Sequence, residues 1–129
     1  VHPVGEAMLP IYHTNVMMAI GTAYAVICLE SITNLEQRTR VVQELETTGH
    51  EIVEISFEQM NQFAGNMLEV KAKDGRLYLC MSQSAYDALS VEYRIRLAKH
   101  ATLLSVPIPT IETLGGGSVR CMMTELFAF

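Results

Sequence analysis

The 129-residue chain contains no run of about 18 consecutive apolar residues, so its sequence offers no helix able to span a membrane. It also lacks a cluster of basic residues. Nine Lys and Arg against 14 Asp and Glu give a formal charge of -5, and the cations are scattered, which argues against a nucleic-acid surface. No Cys or His pair stands at metal-ligand spacing, so no metal site is expected. Gly115-Gly116-Gly117 is not followed by the Lys-Ser/Thr of a phosphate-binding loop and lacks the dispersed glycines of a dinucleotide fingerprint, so no nucleotide cofactor is expected either. Cysteines are few and odd in number. Cys28, Cys80 and Cys121 are widely spaced, with the first two inside apolar runs, which fits a reducing, cytoplasmic setting better than a disulfide scaffold. The first residues, Val1 to Met8, show neither the basic region nor the apolar stretch of a secretory signal and read as a chain joined in mid-protein.

What is present is a globular composition, with 50% hydrophobic and 18% charged residues in a length suited to a single domain. The order of elements repeats. Ile11 to Ile20 and the apolar run Ala25 to Leu29, joined at Gly21-Thr22, predict a hairpin with a buried second strand. A helix from about Asn34 to Thr48 follows, opened by a Thr33/Glu36 capping box and stopped by Gly49, and a strand over His50 to Ile55 completes ββαβ. After a capped helical turn at Ser56 to Phe63 the pattern starts again. Met67 to Lys73 and Arg76 to Met81 flank Asp74-Gly75, a strong hairpin signal; helical stretches Gln83 to Leu89 and Ser90 to His100 precede the strand Leu103 to Val106. The offset of about 55 residues marks an architectural repeat. A last strand, Val119 to Phe127, carries Cys121. Two such units leave sheet edges open, so the chain needs further modules or a homo-oligomeric partner.

Chemistry concentrates in two short windows. The run Gly115-Gly116-Gly117-Ser118-Val119-Arg120-Cys121-Met122 lets the backbone bend tightly and then presents a thiol. A thiol with an ordinary pKa of about 8.5 needs a nearby base or cation to act as a nucleophile. His13, in Tyr12-His13-Thr14-Asn15-Val16-Met17-Met18, can supply it only if the fold brings the two ends of the chain together.

Together these windows resemble the cysteine loop and the upstream histidine segment of the guanidino-group modifying enzymes: arginine and agmatine deiminases, amidinotransferases and dimethylarginine hydrolases, with the citrulline-utilisation branch nearest. The resemblance implies an α/β (α+β) fold, a pseudo-symmetric propeller of ββαβ modules. About two modules and the closing strand would be present here, in a single domain over residues 1–129 that forms the C-terminal portion of a larger amidinotransferase-like catalytic domain. It implies Cys121 as nucleophile on the central carbon of a guanidino or ureido group, through a thiouronium-type intermediate. His13 is then the general acid/base and Asn15 a substrate contact. Asn15 departs from the aspartate many relatives place there; an amide offers a donor and an acceptor, which suits a neutral ureido group such as that of citrulline as well as arginine. The family's other substrate carboxylates lie upstream of this chain.

Each residue also has a plainer reading. Cys121 could be a buried thiol, His13 a satisfied strand histidine, Asn15 a strand-edge hydrogen-bonding group, and Arg120 either structural or a cation favouring the thiolate. Cys28 and Cys80 read as core, His50 and His100 as surface structure, and the Met17-Met18 and Met122-Met123 pairs as packing around the site. Hydrolysis of a small guanidino or ureido molecule is the leading function; transfer of an amidino group to an amine acceptor, or a non-catalytic two-module fragment that binds a partner, are the alternatives.

Overall fold

The computed structural model describes residues 1–126. A short hairpin that the sequence reading left unassigned comes first, β1 (His2–Val4) against β2 (Ala7–Leu9). The expected strand over residues 11–20 is interrupted by a 3-10 turn, Thr14–Val16. The cause is local. His13 caps this turn by accepting the Asn15 N–H on its imidazole Nδ1 at 3.1 Å, and the Val16 and Met17 amides close onto the His13 and Thr14 carbonyls. Backbone groups bonded inside a turn cannot join a ladder, so only β3 (Met18–Ile20) is extended.

From β3 onward the expected module is there. β4 (Tyr24–Ile27) is wholly buried; it pairs antiparallel with β3 and parallel with β5 (Glu51–Glu54). Parallel neighbours need a crossover, supplied by α1 (Leu35–Thr47). Two boundaries differ from the sequence reading. A 3-10 turn at Leu29–Ser31 ends β4 at Ile27 rather than Leu29, and Asn34 rather than Thr33 caps α1, its side chain accepting the Gln37 N–H at 3.0 Å. Gly49 ends the helix region with a φ of 80°, a conformation open to glycine at little cost.

The second module repeats the plan. After α2 (Phe57–Asn61), opened by the expected Ser56/Gln59 capping box, β6 (Leu68–Lys71) and β7 (Leu77–Ser82) form a hairpin. Helices α3 (Gln83–Ala88) and α4 (Val91–Ala98) then lead to β8 (Thr102–Val106), parallel to β7. Sheet orders β3-β4-β5 and β6-β7-β8 therefore match. Cys28 and Cys80 lie in the buried core, as their apolar context predicts.

The C-terminal part departs most from expectation. Residues Pro109–Gly115 form helix α5, with Pro in the first turn, where its missing N–H costs nothing, and Gly116 beyond its end at a φ of 67°. The closing strand expected over Val119 to Phe127 is instead a 3-10 turn, Val119–Met122; Phe127 lies outside the described residues. The Cys121 and Met123 amides bond to the Ser118 and Arg120 carbonyls, again consuming locally the groups a strand would share with a neighbour. Met122 is exposed rather than packed.

Polar links join the two modules. Glu69 of β6 accepts both the Thr22 amide and the Thr22 hydroxyl at the β3–β4 turn. Arg96 and His100, from α4 and its end, converge on Glu51 of β5 at 2.6 and 2.8 Å; Arg96 also bonds the Ile52 carbonyl, and the His100 ring lies 5.5 Å from that of Tyr24. His100 is thus an inter-module contact, and His50 likewise reaches inward to the Gly21 carbonyl.

Two expectations follow from this packing. A Cβ at Gly65 would stand 2.5 Å from the Val16 carbonyl oxygen, which is backbone and cannot swing away. Gly65→Ala should therefore lower stability by about 1–3 kcal/mol, read as a reduced denaturant midpoint; an unchanged midpoint would mean the 14–16 turn is not seated there. The bonds from His100 and Arg96 hold the Glu51 carboxyl below its ordinary value of 4.5. A carboxyl lowered by folding adds stability that is present above its unfolded value and is lost as pH falls through the folded one. Glu51→Gln should thus flatten the acid limb of the stability profile below that value, measured by thermal melts across pH; an identical profile would remove Glu51 as a titrating contributor.

Candidate active site

A single buried side chain gathers the predicted residues. Asn66 is 5% exposed and stands between the α2 region and β6, at the end of a turn in which its amide bonds to the Phe63 carbonyl. Its Oδ1 accepts the Arg120 backbone N–H at 3.1 Å; its Nδ2 reaches the Asn15 carbonyl at 3.3 Å and the Cys121 Sγ at 3.2 Å. Because a backbone N–H can only donate, the atom facing Arg120 must be the amide oxygen, and the donor arm is left for the sulfur. The His13 segment and the cysteine loop, from opposite ends of the chain, are held on one amide.

Cys121 itself is exposed, whereas Cys28 and Cys80 are buried and burial pushes both of those thiols up from their ordinary range. The loop is shaped for it: a Cβ at Gly117 would come within 3.2 Å of Sγ, so a side chain there would crowd the thiol. His13 is exposed at the cap of its turn. With Nδ1 accepting from Asn15, the neutral ring carries its hydrogen on Nε2. No direct hydrogen bond joins His13 to Cys121 among the described residues; Asn66 links Cys121 to Asn15, two residues along from His13.

Asn15 spends its backbone on this arrangement, donating to His13 and accepting from Asn66. It also lines a cavity of about 150 Å³ with Thr14, Met18, Ile20 and Arg120. Arg120 reaches the Met67 carbonyl at 3.4 Å, so it is in part structural. On the other side of Asn66 a second hollow of about 190 Å³ is bounded by Tyr12, Phe63, Asn66 and Gly117. Larger grooves lie against α4 and at the α2–α3 contact, away from the thiol.

Two groups escaped the sequence reading. Asn66 sits in an unremarkable Gly-Asn-Met context with no motif to single it out. Glu112 of α5 is buried and accepts the Ser118 hydroxyl at 2.7 Å and the Ser84 hydroxyl at 2.8 Å. It thereby fastens the residue whose carbonyl receives the Cys121 amide. A buried carboxylate needs such partners, and here they tie the cysteine loop to α3. Among the described residues no group of three or more His, Cys, Asp or Glu is placed to hold a metal.

Two repeated ββαβ modules, with a cysteine loop and a histidine turn joined at one point, accompany membership of the guanidino-group modifying pentein superfamily. The chain belongs to the family of eukaryotic N,N-dimethylarginine dimethylhydrolases, whose family model matches residues 1–128. Among solved structures it is similar to apo ArgZ, an arginine dihydrolase from the ornithine-ammonia cycle in cyanobacteria, with a TM-score of 0.62 and 17% identity. That likeness covers 86% of this chain and 16% of the ArgZ chain, and at this identity it speaks for the fold. Curated proteins gave no match. No helix among the described residues is long and apolar enough to cross a membrane.

The contrast between one exposed and two buried thiols is directly testable. Iodoacetamide under native conditions should add a single label, mapped by mass spectrometry to Cys121 and absent from Cys121→Ala. Labelling of Cys28 or Cys80 at a comparable rate would contradict the core placement.

Proposed function

We propose that this chain supplies the nucleophile and the general acid/base of a cysteine-dependent hydrolase acting on a C–N bond of a guanidino or ureido small molecule. The observation that carries the reading is the Asn66 bridge, which brings the exposed Cys121 thiol and the His13 turn to one place. Family membership supports the substrate class, since the family is described by hydrolysis of N,N-dimethylarginine and ArgZ by that of arginine. The chain spans a small share of ArgZ, so the whole protein is read as a larger catalytic domain of which residues 1–129 form the C-terminal portion. Its three free thiols fit a cytoplasmic setting.

In this mechanism the Cys121 thiolate adds to the central carbon of the bound group. As the C–N bond breaks, the departing amine takes the Nε2 proton of an imidazolium His13, the form in which Nδ1 is also protonated and no longer accepts from the Asn15 N–H, leaving a thiouronium-type intermediate on sulfur and a neutral imidazole. Water then attacks the same carbon, giving its proton to His13. Collapse breaks the C–S bond, regenerates the thiolate and releases the ureido product. One histidine serves both half-reactions because the proton it gives to the amine is replaced by the one it takes from water. Asn15, in its small cavity beside Arg120, is the proposed substrate contact, with an amide able to donate to a ureido oxygen or accept from a guanidinium nitrogen.

In the complete natural polypeptide, Cys121→Ala should abolish release of amine or ammonia from N,N-dimethylarginine, arginine, agmatine or citrulline, whichever is turned over. His13→Ala should cut kcat by about 10²–10⁴-fold. Substantial turnover by Cys121→Ala would sink the assignment.

A further inference from the structure

Asn66 does more than hold two loops together. Its donor arm points at the reacting sulfur, and the geometry leaves it no alternative orientation, since the Arg120 amide occupies the oxygen. We infer that Asn66 is a further catalytic residue of this site: its Nδ2–H donates to Cys121 Sγ and stabilises the sulfur whenever it is anionic, before attack and again as the product leaves. The inference rests on Cys121 being the nucleophile proposed above.

Three features favour this over a merely structural amide. Asn66 is 5% exposed, so water has little access to the donor end of a bond whose sulfur end stays open to substrate. An N–H donor strengthens its bond when the acceptor carries charge, and a thiolate is a far better acceptor than a thiol. Finally, the amide is fixed in advance. The turn that presents it contains Phe63 at a φ of 65°, an unfavourable conformation for a bulky residue, held by the Phe63 amide on the Met60 carbonyl and by packing against the core. Gly65, packed against the Val16 backbone, admits no side chain and keeps the same turn close to the histidine segment.

Asn66 neither gives up nor receives a proton. When the S–C bond forms, the sulfur lone pair enters that bond and the N–H contact weakens; when the C–S bond breaks, the electron pair returns to sulfur and the contact is restored. The amide therefore improves sulfur as a leaving group in the hydrolytic half and holds the anionic sulfur in place before attack in the first half. It does not contact the leaving amine, which is served by His13.

The isosteric change Asn66→Asp replaces the donor arm with a second anion while keeping the shape. In the complete natural polypeptide, folded by circular dichroism and thermal melting, this variant should slow alkylation of Cys121 by iodoacetamide at pH 7 by about ten-fold. It should lower kcat at least as much, with KM changed less than about two-fold. Asn66→Ser, which keeps a short donor, should fall between the two. An alkylation rate equal to that of the unsubstituted protein in folded Asn66→Asp would overturn the inference. Should both variants fail to fold, the native protein still decides. The Asn66 side-chain amide protons, followed by NMR, should shift as Cys121 ionises and remain still in Cys121→Ala; resonances insensitive to that ionisation would overturn it equally. The two readings fail separately: turnover by Cys121→Ala removes the hydrolase assignment and leaves the alkylation result intact, while normal alkylation in Asn66→Asp removes only the role of Asn66.

Discussion

The carboxamide of Asn66 is the polar contact on which the site depends. A buried amide has two donors and an acceptor to satisfy, and here they are met by the Arg120 amide, the Asn15 carbonyl and the Cys121 sulfur. Satisfying one group therefore fixes two segments, the Asn15 turn and the Arg120–Cys121 loop, that the sequence keeps far apart. Glu112 plays the matching part behind the loop. With its oxygens on the Ser84 and Ser118 hydroxyls, it ties the residue that starts the cysteine turn to a helix of the second module. The thiol is thus exposed at its tip and rigid at its base, the arrangement a nucleophile needs and a packed cysteine does not.

The modules supply the frame. Each sheet places its central strand, β4 or β7, between an antiparallel and a parallel neighbour. The turn before β3 carries His13, while the turn before β6 carries Asn66; β3 packs against β6, and the two segments are joined where Asn66 bonds the Asn15 carbonyl. The contact between modules is then set by charge as well as by apolar packing, through Glu51 with Arg96 and His100 and through Glu69 with Thr22.

Much of the frame was legible in the sequence because its signals are local. Asp74-Gly75 announces a hairpin, Ser56 and Gln59 a capped helix, and the apolar runs around Val26 and Leu79 buried central strands. The site was legible only as two windows joined by resemblance. The reading failed at His13 and at Cys121, where apolar neighbours suggest strands. In both places a side chain or carbonyl within three residues captures the backbone amides first, and a 3-10 turn results. Helix α5 was hidden by its short length and by the glycines that follow it. Asn66 and Glu112 carried no local signal, because their importance lies in partners some 54 and 28 residues away.

The proposed hydrolysis passes through a covalent bond to Cys121. The most direct test is to quench the complete natural polypeptide during turnover in acid and map adducts by peptide mass spectrometry. The account predicts a Cys121 peptide heavier by the substrate less its departing amine, appearing and decaying on the time course of turnover. Continued turnover with an unmodified Cys121 peptide, or with the adduct on another residue, would contradict it.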